Sequence, residues 1–396
     1  MKNYKTSTIN RRQFLCSAGV SVAVFSILPG RKLRGAESIS PNERVNVAGI
    51  GIGSRGGADV DEVAGLGHNL VALCDVDENY AAKRFAKYPD AKRFKDYRVM
   101  LDKMGKEVDA VVIGTPDHTH AVIAMEAMRR GKHVYCEKPL AHSVHEVREL
   151  MVTARKSKVV TQLGNQGHSS DTIRRVCEWV WAGALGKVHT IHAGCDAFKN
   201  VYCQIPNLTK IGEHHNVPKG LDYDPVKQGL TYPSAAKITF EFPARKARGP
   251  VKLVWHDGNS AIPKPQDFPA DEKIPGTGAI MFGDKGMIVH GSHGGGNCHL
   301  LPEQLMDQYS GKNAPAQKIP RVKGHAWDWI EAIRTGRQAG SNFDYGGPLT
   351  QVAMLGLIAI RFPGQTLKWN DEQARFTNND AANAYINPPY RPGWKL

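Results

Sequence analysis

Seven cysteines occur in 396 residues, and none forms a C-x-x-C pair or a zinc-type spacing. The cysteine pattern therefore gives no support to a zinc module or a dithiol redox centre. Acidic residues are missing from the first 36 positions, where Lys2, Lys5, Arg11, Arg12, Arg31, Lys32 and Arg34 supply half of the formal charge of +14. The rest of the chain has no long basic run and no basic helix stripe, so its moderate surplus argues against nucleic acid as a partner. The apolar run at residues 16–29 is too short and too rich in small residues to span a bilayer. Internal repeats and coiled-coil heptads are also absent. What remains is an ordinary globular composition, 41% hydrophobic and 23% charged, on a chain long enough for two domains.

The N-terminus reads as a targeting segment. N-R-R-Q-F-L at residues 10–15, followed by the short apolar run, resembles a twin-arginine export signal. The expectation is a signal over 1–36 and a periplasmic protein that meets the membrane only in transit. With no clean A-x-A cleavage site, an uncleaved membrane anchor is the alternative. Twin-arginine export carries folded proteins, which suits a chain that loads a cofactor first. Cys16 lies in this segment. Cys74 and Cys136 end apolar strands and read as small core residues. Whether Cys195 and Cys203 pair is left open.

The chain is organised around V-N-V-A-G-I-G-I-G-S-R-G at residues 45–56. An apolar strand runs into a glycine turn and a helix start, and Gly51, Gly53 and Gly56 give G-x-G-x-x-G. The first glycine permits a tight turn, the second lets a pyrophosphate approach the backbone, and the third lets the helix pack on the strand. The helix start, with Ser54 and Arg55, offers free N–H groups to phosphates. A second strand at 70–74 ends on Asp75, about 20 residues on, where a carboxylate suits the adenosine ribose and repels a 2′-phosphate. The cofactor expected is NAD.

Strands and helices then alternate, the pattern of a doubly wound parallel sheet. Strands are read at 45–50, 70–74, 108–113, 133–136 and 159–163, with helices at 58–66, 78–88, 98–104, 121–130 and 144–156 between them. Phe94 and Tyr97 are read as flanking a short turn. Asp77 and Ser143 are read as N-caps and Gly131 as a C-cap. A helix at 171–184 and strands at 187–196, 237–242, 251–256, 279–282 and 286–290 suggest a second, α+β domain with a mostly antiparallel open sheet. Helices at 325–335 and 349–361 and a strand at 367–369 follow. The expected domains are NAD-binding at 41–166, substrate and oligomerisation at 167–370, and an irregular tail at 371–396. Trp327 and Trp329 read as core packing around Asp328. His290, His293, Cys298 and His299 share a Gly-rich loop, but their spacing matches no standard metal site, and no metal is expected.

The glycine turn, T-P-x-x-x-H (Thr115, Pro116, His120) after the third strand read, and E-K-P (Glu137, Lys138, Pro139) after the next resemble the Gfo/Idh/MocA oxidoreductases. With the export signal and T-Q-L-G-N-Q-G-H at 161–168, the chain is similar to their exported, NADH-dependent dehydrogenase-like branch. The resemblance runs from about residue 44 to the C-terminus. It implies that Gly51, Gly53, Ser54, Arg55, Gly56, Asp75, Thr115, Pro116, His120, Glu137 and Lys138 bind the cofactor. It further implies that Lys138 is catalytic, touching both the nicotinamide end and a substrate hydroxyl. Gln166 and His168 are candidate substrate contacts. One family feature is missing. The helix motif G-x-L-x-D-x-x-x-H, whose histidine is the usual acid/base, is expected after residues 219–224, but the chain passes almost directly to the next strand. It is thus shortened near 224–232. His192, His214 and His215 are the other candidates to stand in.

The resemblance implies an NAD-dependent dehydrogenase acting on a sugar or polyol hydroxyl, in an oligomer of identical chains formed through the open sheet. Loss of a positioned acid/base would cost roughly 10²–10⁴-fold in rate. The alternatives are a redox-neutral, NAD-dependent glycoside hydrolase or lyase, and an exported NAD- or sugar-binding pseudoenzyme.

Overall fold

The computed structural model describes residues 40–195 and 235–396, apart from 247, 259 and 267. The export-signal reading, Cys16, Cys203, His214, His215 and the shortening near 224–232 lie outside the described residues. From Pro41 to Leu396 the chain is one compact unit.

Its first half is a six-stranded parallel sheet. The strands are β1 (Asn46–Ile50), β2 (Asn69–Cys74), β3 (Lys92–Phe94), β4 (Ala110–Ile113), β5 (His133–Glu137) and β6 (Thr161–Gly164), in the order β3-β2-β1-β4-β5-β6. The central strands are buried almost end to end, as expected where helices cover both faces. Those helices are α1 (Arg55–Gly65), α2 (Glu78–Lys87), α3 (Tyr97–Met104), α4 (His120–Arg129) and α5 (Val144–Ser157). Asp77 caps α2 by accepting from the Asn79 and Tyr80 N–H groups, and Ser143 caps α5 by accepting from Glu146 N. Gly131 closes α4 with φ +73°. The stretch before Tyr97, read as a turn, contains β3. Three residues, Lys-Arg-Phe, are too few to show alternation, and their charge befits an edge strand. Helix α1 begins three residues before the expected start, because its first turn is built from the glycines themselves.

The second half holds α6 (Asp171–Trp181) and a six-stranded sheet. Its strands are β7 (Val188–Cys195), β8 (Ala235–Phe242), β9 (Val251–Gly258), β10 (Thr277–Gly283), β11 (Gly286–Gly291) and β12 (His299–Leu301), in the order β12-β11-β10-β7-β9-β8. Every pairing is antiparallel except β7 with β9. α6 buries Val176 and Trp179 against Ile288 and Leu300 of this sheet. Strand β12 follows the Gly-rich loop and escaped the sequence reading.

Two later helices, α7 (His325–Thr335) and α8 (Phe343–Ile360), belong by sequence position with the second sheet. Both pack on the first, and α8 also reaches the second, where its Gly356 lies against Phe240 and Ile238 of β8. Trp329 and Ile330 of α7 join Val47, Leu73, Val112 and Tyr135 on one face, and Phe343 of α8 joins the cluster on the other. Helix α8 starts six residues before its expected position and carries Pro348 within it. The segment between the two helices covers the outer edge of β6, where Leu163 N donates to Ser341 O and Phe343 N to Thr161 Oγ1. The C-terminal residues Tyr390, Trp394 and Leu396 also pack on the first core. Among the described residues, no helix is long and apolar enough to cross a membrane.

Candidate active site

The glycine turn lies at the C-terminal end of β1. Gly51 takes φ +76°, donates its N–H to Cys74 O, and has Thr115 N where a Cβ would come within 2.6 Å. A Cβ on Gly56 would stand 2.1 Å from Gly51 O and 2.9 Å from Gly114 Cα, so α1 can approach the β1 and β4 ends only without one. At Gly53 a Cβ would run into the Tyr80 ring of α2. Ser54 precedes α1 without capping it, and the first turn carries no acid. The N–H groups of that turn are left for a phosphate, and the cradle fits a dinucleotide.

Asp75 ends β2, half-buried. Its Oδ2 accepts from Ile52 N at 2.8 Å and its Oδ1 from Asp77 N at 3.0 Å. The carboxylate thus braces the glycine turn, and its remaining lone pairs are what a ribose diol would use.

Thr115, half-buried, and Pro116, exposed, follow β4. His120, read from sequence as a cofactor contact, is 1% exposed. Its Nδ1 bonds Pro139 O at 2.7 Å and its Nε2 bonds Thr115 O at 2.8 Å. The ring is committed to two main-chain carbonyls, so its part is to fasten the T-P loop to the E-K-P turn.

Lys138 is exposed at the end of β5, and its N–H donates to Glu137 Oε2 at 3.2 Å. Its side chain is open to solvent. Glu137 is buried instead, at 4% exposure, and is the hub of a network. Its Oε1 meets Arg55 Nε at 3.3 Å and accepts from Gln166 Nε2 at 2.5 Å. Gln166 also donates to the Tyr135 hydroxyl at 2.8 Å and reaches Asp59 Oδ1 at 3.4 Å. Arg55 Nη2 lies 2.6 Å from Asp59 Oδ1.

Sequence reasoning missed Asp59 and Tyr135. Asp59 follows Gly56 by three residues, on the inward face of α1, but a single acid in a helix carries no pattern of its own. Burial first, and then the Glu137 charge, push its carboxyl up to about 8. Burial works against the Arg55 charge, yet Asp59 and Glu137 outweigh it and hold the guanidinium above its ordinary range. Burial also raises the Tyr135 hydroxyl well above its usual value.

Gln166 is therefore joined to the Glu137 cluster, whereas His168 faces elsewhere. Its ring lies 4.4 Å from that of Tyr345 on α8, and burial, then Arg174, push its pKa down. His192 bonds the buried His256 through Nδ1 at 3.0 Å, on the second sheet. In the Gly-rich loop, His290 bonds Gly291 O, His293 bonds Ser292 Oγ, His299 lies 3.4 Å from Glu272, and Cys298 donates to Thr172 O. Trp329 is fully buried in the core, and Cys74 and Cys136 are buried free thiols.

Residues 44–165 match the Gfo/Idh/MocA model, described as oxidoreductase family, NAD-binding Rossmann fold. Among curated relatives, glycosyl hydrolase family 109 protein 2 of Shewanella sp. (strain ANA-3) is 23% identical over 92% of this chain and 96% of its own length. That alignment spans 444 positions, more than this chain has, so it steps over stretches the chain lacks. A glycosyl hydrolase family 109 protein of Shewanella amazonensis is 24% identical over 86% of this chain and 85% of its own. Two solved structures share the fold at 15% identity and TM-score 0.54. One is the aldose-aldose oxidoreductase of Caulobacter crescentus complexed with glycerol, covering 82% of this chain and 100% of its own. The other is the WlbA dehydrogenase of Bordetella pertussis complexed with NADH and UDP-GlcNAcA, covering 83% and 100%.

Proposed function

We propose, on the premise that this chain belongs to the Gfo/Idh/MocA oxidoreductases through its NAD-binding domain at residues 44–165, that it transfers a hydride between NAD and a carbon bearing a sugar or polyol hydroxyl. The observation that carries the reading is the place of Lys138. It is exposed one residue beyond a buried carboxylate network that ties the E-K-P turn to the glycine turn. Bound NAD supplies the hydride acceptor. Gly51, Gly53 and Gly56 with the first turn of α1 would hold its pyrophosphate, and Asp75 would take its ribose. Lys138 Nζ would donate to the substrate hydroxyl oxygen and stabilise the negative charge that develops there as the hydroxyl proton passes to solvent. His120 and Glu137 keep the two loops around Lys138 in register. Gln166 braces the Glu137 network, and His168, which packs on Tyr345, is given no substrate role.

One observation favours a second reading on the same site. The relatives that align over most of this chain are named glycosyl hydrolases. A redox-neutral cycle would oxidise a sugar carbon, release the glycoside by elimination, and return the hydride. A single experiment separates the two. The protein, supplied with NAD, is offered free sugars, polyols and nitrophenyl glycosides, and both nicotinamide absorbance and nitrophenol release are followed. Net NADH from a free sugar or polyol supports the dehydrogenase, while nitrophenol without net NADH supports the hydrolase. Neither signal, with NAD bound, would leave the binding-protein reading in place of both.

The N-terminal segment is proposed to export the folded, NAD-loaded protein to the periplasm. Replacing Arg11 and Arg12 by lysine should hold it in the cytoplasm, and cell fractionation reads the outcome.

A further inference from the structure

Beneath the glycine turn, two carboxyl groups meet one guanidinium, and the charges do not balance. Asp59 and Glu137 are 2% and 4% exposed. Among the described residues, Arg55 is the one cation in ion-pair contact with either. The Gln166 amide reaches both, and Asp59 Oδ2 is buried with no hydrogen-bond partner among the described residues. The other described groups facing the cluster add no positive charge. Glu62 on α1 lies 3.5 Å from Arg55 and is itself acidic. Tyr135 on β5 is kept un-ionised by burial. His325 on α7, edge-on to Tyr135 at 5.8 Å, is driven by burial down to about 4 and is neutral. Two ionised carboxylates here would leave a net negative charge out of water, one of its oxygens bonded to nothing. Keeping one proton on the pair is the cheaper state.

We propose that Asp59 and Glu137 share one proton, and that Asp59 is thereby a positioning residue for NAD. The shared proton lets Glu137 hold the Lys138 N–H while Arg55 stays docked at the start of α1. The E-K-P turn and the glycine turn are then fixed to each other through one buried cluster. When the proton leaves, like charges oppose each other across the cluster and that link loosens. This inference rests on the NAD site and hydride-transfer reading given above.

The test has two readouts. The first is infrared spectroscopy of the nucleotide-free protein at neutral pH. It should show the C=O stretch of a buried, protonated carboxyl, and Asp59→Asn should remove it. The second is calorimetric NAD binding as a function of pH. Wild-type affinity should fall about tenfold per pH unit once the pair titrates, and Asp59→Asn, which copies the neutral acid, should lose that slope. If Asp59→Asn does not fold, Glu137→Gln neutralises the other half and serves for both readouts. An absent band, or wild type and variant losing NAD in parallel with pH, overturns the proposal. A band without NAD binding at any pH sinks the cofactor reading and the positioning role, while the shared proton stands.

Discussion

At the scale of single residues, the candidate site divides into exposed and buried groups. Lys138 is exposed, whereas Glu137, Asp59 and His120 are buried within bonding distance of the loops they fasten. Lys138→Met should therefore lower turnover about 10²-fold or more and leave calorimetric NAD affinity and thermal stability nearly unchanged. A parallel loss of NAD binding would make Lys138 a binding group only. Gly56→Ala acts differently. Its new methyl would fall 2.1 Å from Gly51 O, and main chain cannot swing aside as a flexible side chain can. The variant should lose about 1–3 kcal/mol by urea unfolding and lose NAD binding with it.

At the scale of elements, helix α6 is tied to the strap that precedes α7 by one buried ion pair. Glu178 accepts from the Lys318 and Ile319 N–H groups and pairs with Arg321 Nη2 at 2.7 Å. The Arg321 hydrogen bond, against the opposing effect of burial, holds the Glu178 carboxyl down at about 2. A depressed carboxyl binds its proton less readily in the folded chain than in the unfolded one. Its stabilisation is thus full above the unfolded value of 4.5 and is lost as pH falls toward 2. Glu178→Ala leaves two N–H groups without their acceptor and takes from Arg321 its buried partner, with only Ile319 O and the exposed Asp171 remaining, and should cost about 3 kcal/mol near neutral pH. The acid limb of the unfolding curve between those values should flatten in the variant. Unfolding midpoints measured across that range check both statements, and an unchanged acid limb would refute the assignment.

At the scale of the whole molecule, distant parts of the chain complete one core. Tyr390, Trp394 and Leu396 pack on the first sheet's cluster, and the Tyr390 hydroxyl donates to the buried Glu146 Oε1 at 2.6 Å. Ending the chain before residue 388 should lower stability by about 2–4 kcal/mol, because each of the three anchors is partly buried and contributes less than the roughly 1.5–3 of a fully buried side chain. The loss should reach NAD binding too, because the first sheet carries the glycine turn. Thermal unfolding with and without NAD reads both effects.

The sequence by itself determined the alternation of strand and helix, the strand order's nucleotide-binding turn, and the identity of the residues around it. Those features are local: a G-x-G-x-x-G between strand and helix, Asp75 after β2, E-K-P after β5, and caps such as Asp77 and Ser143 depend on residues a few positions apart. The mostly antiparallel second sheet was also legible, since its strands carry their own turns. Only the tertiary structure decided where α7, α8 and the C-terminal residues pack, because each presents an apolar face that fits either sheet equally well on sequence grounds. It also decided the character of the site. Asp59, Glu137, Tyr135, Gln166 and Arg55 come from three separate stretches of chain. Their burial, and the imbalance of charge that follows, exist only once the fold has brought them together and excluded water.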